Sequence, residues 1–133
     1  MIVSFKHNFV FVKTRKTGGT SMEIALCSHA GPDDIVTPLA ARDEQVRHAH
    51  FPDSLPRNYS DNPEAEEAFR AAVRRHDRAE LIKMKKDDLK KIRFHNHTSA
   101  QVARSRLGDT FWNDAFNSQS SGILMKRPSR KPI

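Results

Sequence analysis

Six residues of the sequence have the side-chain types and the spacing of an anion-binding turn. The stretch KTGGTS, residues 16–21, follows the apolar run 9–12 and precedes a helix-like pattern. Paired glycines let backbone N–H groups approach a ligand closely, hydroxyl side chains add donors, and the N-terminus of a following helix adds partial positive charge. The stretch therefore predicts a phosphate-binding turn, to which its lysines contribute full charges.

Two common phosphate loops do not fit these residues. A Walker-type loop, G-x-x-x-x-G-K-[ST], places lysine after the last glycine, whereas Lys16 precedes Gly18 and Thr20 follows Gly19. The dinucleotide fingerprint G-x-G-x-x-G needs a third glycine at a spacing that this sequence lacks. An ordinary glycine-rich turn between strand and helix, without a ligand, is the structural alternative.

The turn resembles the 5′-phosphosulfate-binding loop of sulfotransferases that use PAPS, 3′-phosphoadenosine 5′-phosphosulfate. That loop reads roughly Lys-[Ser/Thr]-Gly-[Thr/Gly]-Thr-[Ser/Thr or aromatic], and the matching residues are Lys16, Thr17, Gly18, Gly19, Thr20 and Ser21. The resemblance implies PAPS as co-substrate, with its 5′-phosphate held by the amides and hydroxyls of residues 17–21. It further implies that Lys16 neutralises the bridging oxygen as the sulfuryl group leaves.

A second stretch, FHNHTSAQVARSRLGDTFWNDAF at residues 94–116, is similar to a segment of the carbohydrate sulfotransferases. There, a histidine at a strand end is followed by a helix, the pair LG and two aromatic residues. The resemblance implies that His97 or His95 is the base that removes the proton of the acceptor hydroxyl. We prefer His97, although alternation along a strand turns both imidazoles to one face. A solvent-facing or helix-capping histidine is the structural alternative for each.

The resemblance ends at Phe116. The family continues into a strand with the pattern VRNP..R..S, whose Arg and Ser bind the 3′-phosphate of the cofactor, and residues 117–133 contain no such motif. Arg127-Pro128-Ser129 lacks the preceding apolar strand, so we do not transfer the role to it. The expectation is the N-terminal portion of a sulfotransferase with weak PAPS binding, marginal folding and little turnover. Complete inactivity through C-terminal truncation is the open alternative.

The elements that must position the turn are a strand before it and a helix after it. Residues 9–12 are aromatic or β-branched, which favours a central strand covered on both faces. Met22, Ala25 and Leu26 share one side of the following helix, which Gly31-Pro32 ends. The resemblance implies an α/β fold, namely a P-loop-like three-layer α/β/α arrangement with a short parallel sheet, truncated at its C-terminal side.

In the other parts of the chain, the sequence pattern is less specific about secondary structure. Residues 1–5 are a paired strand or a lead-in, and the proline-rich stretch 32–63 indicates a surface connection with at most short elements. Pro63, with acidic residues after it and arginines further on, predicts a helix start. Residues 81–92 fit either a strand and a helix or one interrupted helix. Thr98 and Gln101 form a capping box for a helix that Gly108 ends, with an aromatic core patch at 111–116.

Composition favours one domain, residues 1–116, followed by a disordered basic tail, residues 117–133. The 133 residues carry a net charge of +7, of which the tail supplies +4 from four cations and no acid, leaving +3 for the rest. The single Cys27 excludes an internal disulfide, and no apolar run approaches the ~20 residues of a membrane span. We therefore expect a cytoplasmic protein without a membrane span.

Two other functions remain open. A basic nucleic-acid-binding or adaptor protein could use residues 63–94 and the tail, but that segment holds ten Lys and Arg against seven acids and no reader motif. A zinc site could use His48-x-His50 and His95-x-His97, but cysteine partners are absent. The leading hypothesis is a sulfotransferase with PAPS and a carbohydrate hydroxyl as substrates and no metal.

Overall fold

The chain folds into a small mixed α/β structure, which confirms the α/β class. A computed structural model describes residues 1–12, 19–88, 94, 98, 100–108, 118–120 and 123–125. Its elements in chain order are β1 (Ile2–Ser4), β2 (Phe9–Phe11), α1 (Gly19–Cys27), β3 (Ile35–Val36), α2 (Ala41–His50), α3 (Pro63–Arg74), α4 (Arg78–Asp88), α5 (Ala100–Leu107), β4 (Ser118–Ser120) and β5 (Ile123–Met125).

The strand β1 lies between β2 and β3 in a three-stranded antiparallel sheet. A four-residue turn, 5–8, joins β1 to β2, places Val3 opposite Val10, and includes Asn8 at φ 54. So short a connection joins only antiparallel strands, since a parallel pair needs a crossover of about a dozen residues or more. The expected parallel sheet is therefore wrong for the described strands, and the paired strand expected within residues 1–5 is confirmed.

Both faces of this sheet are covered. One face carries Met1, Val3, Val10, Val12 and Ile35, which lie in or next to the strands. They pack against Ala103 of α5 and against Tyr59 and Phe94, which lie outside the helices. The other carries Ile2, Phe9, Phe11 and Val36, packed with Cys27 and the partly buried Leu26 of α1. The prediction that β2 is covered on both sides is confirmed, although β2 lies at the edge of the three-stranded sheet and not at its centre.

One buried carboxylate, that of Asp34, ties two turns together. It accepts hydrogen bonds from the Ser4 hydroxyl (2.8 Å), the Phe5 amide (2.8 Å), the Lys6 amide (3.2 Å) and the Gly31 amide (2.7 Å). Burial alone would raise the pKa of Asp34, but these four hydrogen bonds outweigh it and lower the pKa. The ionised carboxylate therefore joins the turn between β1 and β2 to the segment that follows α1.

The helix α2 lies where the sequence predicted only a surface connection. Its fully buried side chains are Glu44 and Arg47, which form an ion pair with each other. Glu44 also accepts the Leu39 amide at 2.8 Å. Because the buried positions are charged, the helix has no apolar period, and the prediction for this stretch was wrong.

Two other predictions about helices are confirmed, and one open alternative is resolved. The helix α3 begins at Pro63 and is capped by Asn62, whose side chain accepts the Ala65 amide at 3.1 Å. Residues 78–88 form one helix, α4, which decides between the alternatives for its part of the chain. Gly108 follows α5 with φ 87, and its amide donates to the Arg104 carbonyl at 2.9 Å.

The helices α2, α3 and α4 pack against one another around a third core cluster. Its buried members are Leu55, Phe69, Ala72, Val73 and Leu81. Separately, β4 and β5 pair as an antiparallel hairpin, and β5 lies close to β2. No regular element was predicted for these two triplets, while the domain boundary at residue 116 stays a prediction. Among the described helices, none has the length and apolar character needed to cross a membrane.

Candidate anion-binding site

The elements on either side of the predicted turn lie where the sequence placed them. The strand β2 ends at Phe11 and α1 begins at Gly19, which confirms a strand before the predicted turn and a helix after it. Gly19, Thr20 and Ser21 form the first turn of α1. The remaining predicted ligands, Lys16, Thr17 and Gly18, lie outside the described residues, and their roles stay predictions.

The N-terminus of α1 suits an anion. The first N–H groups of a helix have no acceptor within the helix and carry partial positive charge. The first turn of α1 contains no acidic side chain that could occupy this position. Thr20 is half-buried and Ser21 is exposed, so the hydroxyl-bearing side chain of Ser21 is accessible to solvent.

The buried side of α1 differs from the predicted one. Glu23, Ile24 and Cys27 are buried, whereas Met22 and Ala25 are exposed. Glu23 turns inward because its carboxylate forms an ion pair with the Met1 amine within the core. The prediction that Met22 and Ala25 face the core was therefore wrong.

A buried charged cluster fixes α1 against the sheet and α2. Arg47 of α2 donates to the Cys27 sulfur at 3.4 Å and to the Thr37 carbonyl at 3.3 Å, while its main charge partner is Glu44. Burial raises the pKa of Cys27, and the neighbouring Arg47 only partly opposes this. A buried thiol with a raised pKa is a poor nucleophile, which favours a packing role for Cys27 at the end of α1.

The two candidate bases, His95 and His97, lie outside the described residues, so their role stays a prediction. Between residues 93 and 95, Phe94 is described and fully buried, in the same core cluster as Val12. Its amide donates to the Tyr59 carbonyl at 3.1 Å. At Phe94 the chain therefore bonds to the segment before α3.

The alternative zinc site gains no support from the described histidines. In the described ranges, no group of three or more His, Cys, Asp or Glu side chains could hold a metal ion. His48 and His50 are two residues apart on α2, so their side chains leave the helix in different directions. The ring of His48 instead lies 5.8 Å from that of His76.

A second site, which the sequence did not predict, is a cavity with three arginines in its wall. We call it the arginine pocket, and its lining residues are Ala30, Pro32, Asp53, Leu55, Arg57, Arg70 and Arg74. In the sequence, Arg70 and Arg74 are recognisable only as cations that complement the dipole of the helix after Pro63, and Arg57 lies in the predicted surface connection. The one local signal was the spacing of four between Arg70 and Arg74, which puts them on one side of a helix.

Comparison of the chain with models of protein families, with curated proteins and with solved structures finds no match.

Proposed function

We propose that this chain is a sulfotransferase-like protein that binds PAPS at the turn between β2 and α1 and passes its sulfuryl group to a hydroxyl. A carbohydrate is the acceptor class that the sequence resemblance implies. The observation that carries the proposal is the start of α1 at Gly19, directly after the lysine and glycine residues of the turn, with Ser21 exposed. A helix N-terminus, paired glycines, hydroxyls and a lysine then converge on one anion.

In the proposed reaction, an acceptor oxygen attacks sulfur while the bond from sulfur to the bridging phosphate oxygen breaks. Lys16 stabilises the negative charge that develops on this bridging oxygen. His97, or His95 in its place, accepts the proton of the attacking hydroxyl, and 3′-phosphoadenosine 5′-phosphate leaves. An imidazole is suited to this role because its ordinary pKa lies near neutral pH.

The two predicted site segments have described neighbours in one core cluster. Val12 precedes the turn, Phe94 precedes His95, and both are buried on the same face of the sheet. This supports placing turn and histidine on one side of the molecule. Because the described sheet is antiparallel, the proposal rests on the turn and the histidines and not on a P-loop-like fold.

Binding of the nucleotide is the first test. Titration of the full chain with 3′-phosphoadenosine 5′-phosphate, followed by calorimetry, should give saturable binding that Lys16→Ala weakens at least about tenfold, or about 1.4 kcal/mol. Lys83→Ala, which removes an exposed lysine of α4, is the matched control and should leave the affinity unchanged. Absence of binding at millimolar nucleotide would refute the proposal.

Transfer of labelled sulfate from PAPS to a panel of sugars tests the reaction itself. Removal of the true base should lower the rate by about 10²–10⁴-fold, so His97→Ala and His95→Ala together identify it. Binding to a random DNA duplex that weakens steeply with salt and ignores Lys16→Ala would favour the nucleic-acid alternative instead.

A further inference from the structure

The arginine pocket lies beyond the C-terminal end of α1, away from the predicted turn. Its volume is about 390 Å³, within the range of small-molecule sites. The segment after α1 contributes Ala30 and Pro32 to its wall, and α3 contributes Arg70 and Arg74. The pocket thus joins residues that are far apart in the sequence.

The side chain of Arg57 is held in the pocket wall by hydrogen bonds to the backbone. Its guanidinium donates to the carbonyls of Gly31 (2.8 Å), Leu55 (2.8 Å) and Ala30 (3.1 Å). Within the described part of the chain, no carboxylate lies within ion-pair distance of it. Arg57 is half-buried, and this burial lowers the pKa of its guanidinium. The hydrogen bonds of this partly desolvated cation go to neutral carbonyl groups, and the carboxylate of Asp34 acts on it without forming an ion pair. An anionic ligand would add a direct charge partner.

Arg70 and Arg74 have donors to spare. Both donate to the single carboxylate of Glu67, each at 2.9 Å, and Arg70 also donates to the Pro56 carbonyl at 3.1 Å. A guanidinium has five N–H donors, and these bonds use only Nε and Nη1 of Arg70 and Nη1 of Arg74. Among the described residues, the Nη2 groups of both side chains have no acceptor, so both can bind a ligand.

The charges at the pocket favour an anion. Among the lining residues, three are arginines and one, Asp53, is acidic, so the wall itself carries a net positive charge. The carboxylates of Glu67 and Asp34 lie beside this wall and compete with a bound anion. Planar guanidinium groups bind phosphate and sulfate oxygens in pairs of hydrogen bonds, more specifically than lysine does. Ala30, Pro32 and Leu55 add apolar surface for the body of a small ligand.

We propose that the arginine pocket binds the phosphate or sulfate monoester group of a small, sugar-sized molecule. This site is distinct from the turn before α1 and does not depend on the proposed sulfotransferase function. Arg57 and the two arginines of α3 contact the ester oxygens, and the apolar wall contacts the rest of the ligand.

Calorimetric titration of the full chain with glucose 6-phosphate, glucose 6-sulfate and glucose tests this proposal at low salt. We expect saturable binding of at least one ester and none of glucose. Arg74→Gln should weaken binding about tenfold and Arg70→Gln/Arg74→Gln about a hundredfold, since both variants leave the buried core unchanged. Arg75→Gln is the matched control, because Arg75 lies next to Arg74, is exposed and does not line the pocket.

Comparison of the two esters shows whether the pocket binds a phosphate monoester or a sulfate monoester. Phosphate monoesters lose charge as pH falls through about 6, whereas sulfate esters do not, so only phosphate binding should weaken between pH 7.5 and pH 5.5. Binding that Lys16→Ala abolishes would place the ester at the predicted turn and overturn the proposal. Equal losses in Arg75→Gln and Arg74→Gln, or no binding of either ester at 10 mM, would also overturn it.

Discussion

The turn before α1 and the arginine pocket beyond its other end attract anions with donors of different origin. In the turn, the donors are the amides, hydroxyls and lysine of six consecutive residues, 16–21. In the pocket, the donors are the guanidinium groups of Arg57 and of two arginines on α3. Another part of the lining comes from Ala30 and Pro32, which follow α1 in the sequence. A contiguous site can be recognised from its sequence, whereas the arginine pocket exists only once α3 has packed against the rest.

The two sites also depend differently on the core. The turn needs β2 and the start of α1, while the pocket needs the segment after α1, residue 57 and α3 to meet. Both need α1 itself to be seated, and Arg47 holds Cys27 near its end. Substitutions can therefore be chosen that harm both sites, one site or neither.

Glu44→Ala should have the largest effect and should harm both sites. It leaves Arg47 fully buried without its carboxylate, and breaking a buried ion pair in this way costs about 3–5 kcal/mol. Urea unfolding followed by circular dichroism measures the loss. Glu64→Ala, on the exposed first turn of α3, is the control and should cost less than about 1 kcal/mol. Similar unfolding free energies for the two variants would show that the buried pair does not hold the core.

Asp34→Asn should have a smaller effect, directed at the pocket. The charged acceptor of four hydrogen bonds is lost, which we expect to cost about 1.5–3 kcal/mol at pH 7. The Gly31 carbonyl, which holds Arg57, depends on this anchor. Glucose 6-phosphate binding should therefore weaken more than binding of 3′-phosphoadenosine 5′-phosphate.

The same variant should change the dependence of stability on pH. The pKa of Asp34 is lowered in the folded state, so its stabilisation is complete above the ordinary value of about 3.9 and disappears as pH falls through the folded value. Urea midpoints measured from pH 7 down to pH 2 should fall less steeply below about pH 4 in Asp34→Asn. The exposed neighbour provides a control, Asp33→Asn, which should keep the original slope. Equal slopes for wild type and Asp34→Asn would refute this role.

Glu67→Gln should have the smallest effect on stability and should strengthen the pocket. Hydrogen bonds from Arg74 and Arg70 lower the pKa of Glu67, so its carboxylate is ionised at neutral pH and competes with a bound anion. Neutralising this exposed carboxylate should hardly move the urea midpoint but raise the affinity for glucose 6-phosphate severalfold. Glu64→Gln controls for net charge. Weaker binding in Glu67→Gln would instead show that Glu67 orients the arginines.

Local signals in the sequence predicted local structure well. The buried strand before the turn, the helix after it, the helix start at Pro63 and the helix end at Gly108 all follow from short patterns of burial, capping and backbone conformation. The predicted site is described only from Gly19 to Ser21, and these three residues form the first turn of α1, so the helix begins slightly earlier than the sequence predicted. Such features need few contacts from distant residues.

Features that depend on buried polar contacts were missed. The helix α2 escaped detection because its buried residues, Glu44 and Arg47, are charged and neutralise each other. The core side of α1 was misjudged because Glu23 finds an ion-pair partner in the core. Strand direction was wrong because the short turn 5–8, held by Asp34, fixes an antiparallel pair. In α2 a polar pair within one helix overrides the hydrophobic pattern, and in the other two cases a polar contact across the fold does so.

The bonds to Asp34 also bear on the order in which the chain folds. The turn 5–8 contains neither glycine nor proline, and two of its amides depend on a carboxylate 28 and 29 positions later. An isolated two-stranded hairpin is at best marginally stable, so residues 1–12 alone lack the contact that orders their turn. We therefore expect the first two strands to become stable only after a loop of nearly thirty residues has closed, which would make the N-terminal segment a late part of the folding pathway.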